Sequence, residues 1–528
     1  MGLKDRQNLN FKSFKMKRKL KLKMNIILLR SSLFLLLICV ISTNFCQEKN
    51  ILLSREFWKS KPNIEKIDSC INSGNDVTEL NEYAFDAVCW AILEKNSNEV
   101  IKYLISKDGN DVNKITHDGR TYIFWALYKD NLTLMKYLLE KGAKTDIIDS
   151  HGYSLLNFGA VTGQTNTALY DFCIANGSKP KIEKNNDGAN PLLLVAPFIE
   201  DDKLINYFLS KGIDINEEDY NGNGIFNYTA KRGNQKMMNL LIQKGVNYKN
   251  LNKINGNAMI FASYGTRSYS NKLSTYKYLD SIGIEANVTT SKGVNPLHSI
   301  VYKVKDKRII NYFIEKGVNI NQVNTKGFNV LMNSCYSNDT SVISHLINYT
   351  ENINHKNNEG KSALTIAVSS NSFEAVELLV NNGAEVNILD KNGNNLMYYL
   401  IKYARPSNMD LTYKKMSFLI QQGLVRNKTQ QKGNTLYHII VDKNNIELFE
   451  KINSFDININ KANDDGLTAL HTAAMKGENT KILEKLISLG ADQNLKTPFG
   501  ETPFDLAKEN ELLQKSKSSI EFLKPTNE

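Results

Sequence analysis

The chain carries no recognisable local signature of catalysis. It has no nucleophile elbow, no His-Glu-x-x-His, no Cys-x-x-Cys and no glycine-rich phosphate loop. Reaction classes that announce themselves through such motifs are therefore not expected, and neither is a cofactor or a metal. An apolar run of membrane-spanning length is also missing. The unbroken run at 33–41 falls well short of the ~20 residues that a helix needs to cross a bilayer. Beyond the N-terminus the chain has almost no net charge. Ten of its 66 Lys/Arg and one of its 55 Asp/Glu lie in residues 1–30, which leaves a balance of +2 for the rest. A nucleic-acid partner would want basic surplus on the folded part, so none is expected.

What the N-terminus does hold is a basic stretch from Met16, the apolar run, and a polar boundary at Ser42-Thr43-Asn44-Phe45-Cys46-Gln47. Those are the marks of a secretory signal within 1–46, with cleavage after Cys46 or Thr43. The expectation is an extracytoplasmic protein, in the envelope or secreted. Two alternatives stay open. Residues 26–41 could be retained as an uncleaved membrane anchor with Arg30 snorkelling. A lipid at Cys46 is the other, against which Phe45 speaks. Translation could start at Met1, Met16 or Met24.

The body is repetitive. A glycine recurs at 119, 152, 188, 222, 256, 293, 327, 360, 393, 433, 466 and 500, one period with short insertions. Two residues after each glycine stands a short side chain with a hydrogen-bonding oxygen in all but Gly224 and Ala258, as a helix start requires. Four residues after it the side chain is always apolar, from Ile123 to Phe504, which marks a buried position. A second glycine, such as Gly142 or Gly383, follows an apolar helical run and can end it in the left-handed conformation. Each unit is thus a turn, a short helix, a second helix and a glycine stop. The insertions at 266–271 and 405–410 fall between the two helices. The closing glycine is lost around Thr350 and Phe455.

Gly466-Leu-Thr-Ala-Leu-His471-Thr-Ala-Ala resembles the Gly-x-Thr-Pro-Leu-His-x-Ala-Ala signature of the ankyrin repeat. Gly293-Val-Asn-Pro296-Leu-His298 and Gly500-Glu-Thr-Pro503-Phe-Asp-Leu-Ala507 are similar, although most units lack the proline. The resemblance covers about residues 80–510 and implies an all-α repeat solenoid. Its units would be stacked helix-turn-helix ankyrin pairs joined by β-hairpin-like turns. About twelve full repeats are expected in an array over 81–497. Degenerate caps are expected at 47–80 and, with the tail, at 498–528.

The register also sorts the reactive side chains. His298, His438 and His471 share one column, which the resemblance makes a structural histidine bonded to backbone rather than a metal ladder. Of the cysteines outside the leader, Cys173 and Cys335 sit in apolar columns as core fillers. Cys70 shares such a column, and only Cys70 and Cys89 are close enough in repeat position for a disulfide to stay open. The resemblance implies binding of an unidentified protein partner, as scaffold or inhibitor, by a monomer, through hairpin tips and a concave face. The candidate tip contacts are Tyr153, Tyr220, Lys292, Lys326, Phe328 and Phe499. An enzyme with its site on the concave face and a host-directed effector are the alternatives.

Overall fold

The computed structural model describes residues 50–515 and 518–525. The signal-like segment at 1–46 lies outside the described residues. The chain divides into two compact units, the first ending at Leu155 and the second beginning at Leu156. The described residues form 28 α-helices, joined by turns and short 3-10 segments, with no strand. Only an isolated bridge, Thr266 to Tyr269, has β character. The fold is an all-α repeat solenoid. No helix among the described residues is long and apolar enough to cross a membrane.

The helices fall into consecutive pairs, from Arg55–Lys59 with Ile64–Asn72 to Pro503–Glu509 with Glu511–Lys515. Chemistry at the first helix of each pair follows the column of short polar residues. Asn190, Asn295, Asn329, Ser362, Asn395, Thr468 and Thr502 each stand at the N-cap and accept a backbone N–H from the first turn. Each such cap contributes about 1 kcal/mol. Isolated helices of five to eight residues are not stable in water, so the stack supplies the rest. The apolar column does this: Ile123, Phe226, Leu297, Leu364 and Leu470 are all essentially inaccessible. Burying one such side chain is worth ~1.5–3 kcal/mol.

One unit runs a residue out of the expected register. Gly256 does not occupy the left-handed turn position, which belongs to Asn255 at φ 59°. The cap is accordingly Asn257, which accepts from the Met259 N–H, and Ala258 is already helical. Asparagine tolerates this conformation better than most residues with a Cβ, so the glycine spacing misled by one. Ala84, at φ 57°, plays the same part before the Asp86 cap of the helix Ala87–Leu93. The lost closing glycine near Phe455 is replaced by Asp456 in the left-handed conformation. The insertion at 405–410 only partly lengthens a loop. Met409 and Asp410 extend the second helix, Met409–Gln421, to 13 residues.

Adjacent repeats are joined at their closing loops by asparagine clamps. Asn354 donates to the Gly383 carbonyl at 3.1 Å and accepts the Glu385 N–H at 2.8 Å. Asn113, Asn321, Asn387 and Asn460 do the same between other neighbours, each using both ends of its amide. Asn354→Ala removes both the donor to Gly383 and the acceptor for the Glu385 N–H. It is expected to cost about 1–2 kcal/mol, seen as faster amide exchange confined to the two flanking repeats. Exchange unchanged at Glu385 would refute the clamp.

All four described cysteines are free and buried, so Cys70 and Cys89 form no disulfide. Burial raises the thiol pKa values of Cys89, Cys173 and Cys335, which keeps those thiols protonated.

Candidate protein-binding face

Each repeat begins with a tip whose backbone N–H groups are largely committed. In the tip around Gly360, Gly360 N–H donates to Asn357 O and Asn357 N–H to Lys361 O, both at 2.9 Å. The Asn357 side chain accepts the N–H groups of Glu359 and Lys361, again at 2.9 Å. This residue, three before the left-handed turn residue, is Asn or Asp in most tips: Asn81, Asp149, Asn185, Asp219, Asn252, Asn324, Asp390 and Asn463 also hold the position. Such a side chain mimics a backbone turn and fixes the tip.

Successive tips are then tied together. Within the second unit, Lys253 N–H donates to Asn221 O, Ser291 to Ile254, Thr325 to Lys292, Asn358 to Lys326 and Lys391 to Glu359, at 2.8–3.0 Å. In the first unit, Ser150 N–H donates to Asp118 O at 2.9 Å. The row is interrupted after Gly393. There Gln431 N–H reaches the Asn394 side chain instead, in the repeat that carries the 405–410 insertion. Pro498 has no N–H to give at the last tip. With most of their backbone N–H groups bonded, the tips offer side chains to solvent from a fixed backbone.

The six residues expected from the sequence are distributed unequally along this row. Phe499, beside Pro498, is 89% exposed. Tyr220 is exposed too, yet its ring covers Gly188, where an added Cβ would fall 2.5 Å from the ring. Lys292 and Lys326 are exposed, and each backbone carbonyl accepts the next tip's N–H. Phe328 is half-buried and stacks on Tyr336 at 6.3 Å, while its carbonyl accepts from the His298 ring. Tyr153 is half-buried, held in its turn by Asp149, which lies in the same unit.

The sequence reading missed a line of tyrosines at or just past the C-terminal ends of the first helices, of which Tyr264 shares a cleft with the tips and Tyr336 stacks on the tip residue Phe328. Tyr264, Tyr302 and Tyr336 occupy equivalent places in three consecutive repeats. Tyr264 and Tyr302 are exposed, and Tyr302 stacks on Tyr336 at 5.7 Å. A column at nine residues past the turn residue would have revealed them, but only with the register slip at Asn255 corrected. A cleft of about 260 Å³ joins the two rows, lined from the tips by Asn252, Ile254 and Lys292 and from the helices by Tyr228, Phe261 and Tyr264. A second cleft, of about 450 Å³, opens beside the interrupted tip and holds Lys361, Tyr398, Tyr399, Lys402 and Gln431. Among the described residues, no three His, Cys, Asp or Glu side chains are placed to hold a metal ion.

The column histidines are built into the scaffold. The Nδ1 atoms of His298, His438 and His471 accept the backbone N–H of Asn295, Thr435 and Thr468 at 3.2 Å. Their Nε2 atoms donate to the carbonyls of Phe328, Leu467 and Leu495 in the next repeats at 2.9–3.2 Å. That pattern requires the neutral ring, and burial holds all three pKa values below the ordinary 6.5. The unfolded chain takes up protons first, so this stabilisation is complete above pH ~6.5 and is lost as pH falls through the lower folded values. The variant His438→Gln/His471→Gln is expected to show a flatter acid limb in stability against pH. An unchanged acid limb would remove the histidines as its cause.

Comparison with known proteins agrees with this geometry. The family model for ankyrin repeats (three copies) matches residues 60–149, 87–186, 297–390, 412–497 and 437–521, together more than half of the chain. Similar proteins include the phosphocholine transferase AnkX of Legionella pneumophila, 27% identical over 191 residues, which are 31% of this chain and 20% of that protein. The palmitoyltransferase AKR1 of Lachancea kluyveri is 25% identical over 160 residues, 30% of this chain and 21% of the relative. The ankyrin repeat protein OPG189 of variola virus is 30% identical over 118 residues, 22% of this chain and 21% of the relative. The chain therefore spans about a fifth of the length of these relatives, and the activities in their names are stated of those proteins. With paired helices, tied tips and a family match running through most of its described length, the chain belongs to the ankyrin-repeat family.

Proposed function

We propose that the protein is exported and acts without catalysis, capturing another protein on its tip row and on the tyrosines at the ends of its first helices. The observation that carries this reading is the tip row itself. Successive tips are tied by backbone hydrogen bonds, so the row's exposed side chains are presented from a fixed support. Binding to such a surface loses little conformational entropy on this side of the interface. Exposed tyrosine and phenylalanine are favoured anchors for protein partners. A partner touching several repeats would gain many modest contacts rather than one deep pocket.

The test uses the full chain as bait against extracellular and envelope extracts, with saturable retention of a protein as the expected result. Phe499→Ala/Tyr220→Ala should weaken that retention. Retention of nothing saturable would sink the reading. Export has its own check in cell fractionation and N-terminal sequencing, where a mature start just after Cys46 or Thr43 is expected. A chain keeping its first residues and staying in the cytoplasm would reject it.

A further inference from the structure

Acidic residues vanish from one stretch of the second unit. The tips at 252–257, 290–295 and 324–329 contain none, and neither do the first helices that follow, Ala258–Tyr264, Pro296–Ile300 and Val330–Ser334. Each of those tips carries one lysine, Lys253, Lys292 or Lys326. Among the described residues, neither Lys292 nor Lys326 is within ion-pair distance of a carboxylate, and both are exposed. Lys253 donates to the Tyr220 carbonyl at 3.1 Å, again without a carboxylate. At the head of the row the half-buried Lys231 sits over the rings of Tyr228 and Phe261, at 4.5 and 5.2 Å, in the cleft that Lys292 and Tyr264 also line.

Acids stand at both ends of this stretch: Asp187 and Asp219 line the cleft beside Lys231, and Glu359 follows the last of the three tips. Asp219 accepts from Tyr228 and Asn223 at 2.9 and 2.8 Å, and Glu359 pairs with Lys361 at 2.5 Å. The result is a cationic segment bounded by negative charge, floored by Tyr264, Tyr302 and Tyr336. Resting on the protein-binding reading above, we propose that this groove takes an extended, acidic peptide segment of the partner. Carboxylates pair with the tip lysines, one per repeat, and intervening side chains lie on the tyrosine rings. An extended chain suits the arrangement because its side chains alternate between two sides, here the lysine row and the ring row. A single-stranded nucleic acid fits less well. It carries a phosphate on every nucleotide, and one lysine per repeat leaves most of those charges unmatched.

The measurement is fluorescence anisotropy of the full chain with a labelled peptide of alternating glutamate and leucine. Its glutamine-for-glutamate counterpart and an oligothymidylate serve as comparisons. Binding of the glutamate peptide, weakened by added salt, is expected. Lys292→Glu/Lys326→Glu should weaken it about tenfold, as reversing complementary charges at an interface does. Both side chains are exposed, and an unchanged circular dichroism spectrum verifies that the variant folds. Equal binding of the glutamine peptide, no binding of the glutamate peptide, or an unchanged affinity in the variant would each overturn the inference. Tighter binding of oligothymidylate would overturn it in favour of nucleic acid. If the variant retains the captured protein partner as well as the parent does, the groove assignment fails while the protein-binding reading stands. Absence of any saturable partner rejects the broader reading instead.

Discussion

Replacing Gly360 with alanine is expected to cost about 3 kcal/mol, while the same change at Gly383 costs about 1 kcal/mol. Both glycines are left-handed, at φ +79° and +91°. The conformational penalty for an added Cβ, ~1–2 kcal/mol, is therefore similar at the two sites. What differs is the neighbourhood. A Cβ on Gly360 would sit 2.6 Å from the Lys391 backbone nitrogen and 2.9 Å from Asp390 backbone atoms, whereas nothing lies within 4 Å of one on Gly383. Backbone cannot swing aside as a flexible side chain can. The clash falls on the nitrogen that donates to Glu359 O at 2.9 Å, so the tie between two tips would be lost as well. Urea unfolding of the full chain measures the difference, and hydrogen exchange places it. Equal costs at the two sites would show that close contact contributes nothing and that φ alone decides.

The second large effect is expected at Lys415, where methionine should destabilise the protein by about 2–3 kcal/mol. The ammonium is buried and donates to the carbonyls of Ala367, Val368 and Asn371 in the preceding repeat. Elsewhere an asparagine amide has that task. Asn338 reaches the Val301 and Val304 carbonyls, Asn371 those of Cys335 and Asn338, and Asn510 those of Ala474 and Gly477. The 405–410 insertion displaces the second helix start in this repeat, and the longer lysine spans to the same carbonyls. Methionine keeps the apolar stem and removes every donor, leaving these carbonyls unpaired at ~1–3 kcal/mol.

Charge and hydrogen bonding act separately at this site. Burial pushes the Lys415 pKa down to about 8 from the ordinary 10.5, so the fold disfavours the proton even while it uses the amine as a donor. Between those two values the unfolded chain holds the extra proton. Stability from this site accordingly rises with pH from about 8 to about 10.5. Lys415→Met should be less stable throughout and should lack that rise. Parallel pH profiles for parent and variant would contradict the buried, proton-poor lysine.

The two devices differ in how far the sequence could disclose them. Gly360 was legible, because a left-handed turn selects glycine and the same selection recurs at each repeat. Lys415 was not, because a lysine in a helix reads as surface until the preceding repeat's carbonyls are placed against it. The tip residues fall between these cases. Position in the repeat marked Phe499, Tyr220, Lys292 and Lys326 as tip residues, and all four are exposed. It could not foresee that Phe328 would turn onto Tyr336, since stacking depends on the neighbouring repeat. The disulfide left open between Cys70 and Cys89 was decided the same way, by two thiols buried separately in the core.

Taken alone, the sequence determined the period, the helix caps, the buried columns and hence the ankyrin-repeat fold. Each of these depends on residues a few positions apart, or on one unit repeating the last. Tertiary structure decided which side chains meet across repeats. It put the turn at Asn255 rather than Gly256, substituted Lys415 for an asparagine, and brought Tyr264 and Tyr336 against acid-free tips. The physical reason is that a repeat's own hydrogen bonds are local. The chemistry of its binding face is set by the gap between one unit and the next, which depends on how insertions and side-chain sizes seat each repeat on its neighbour.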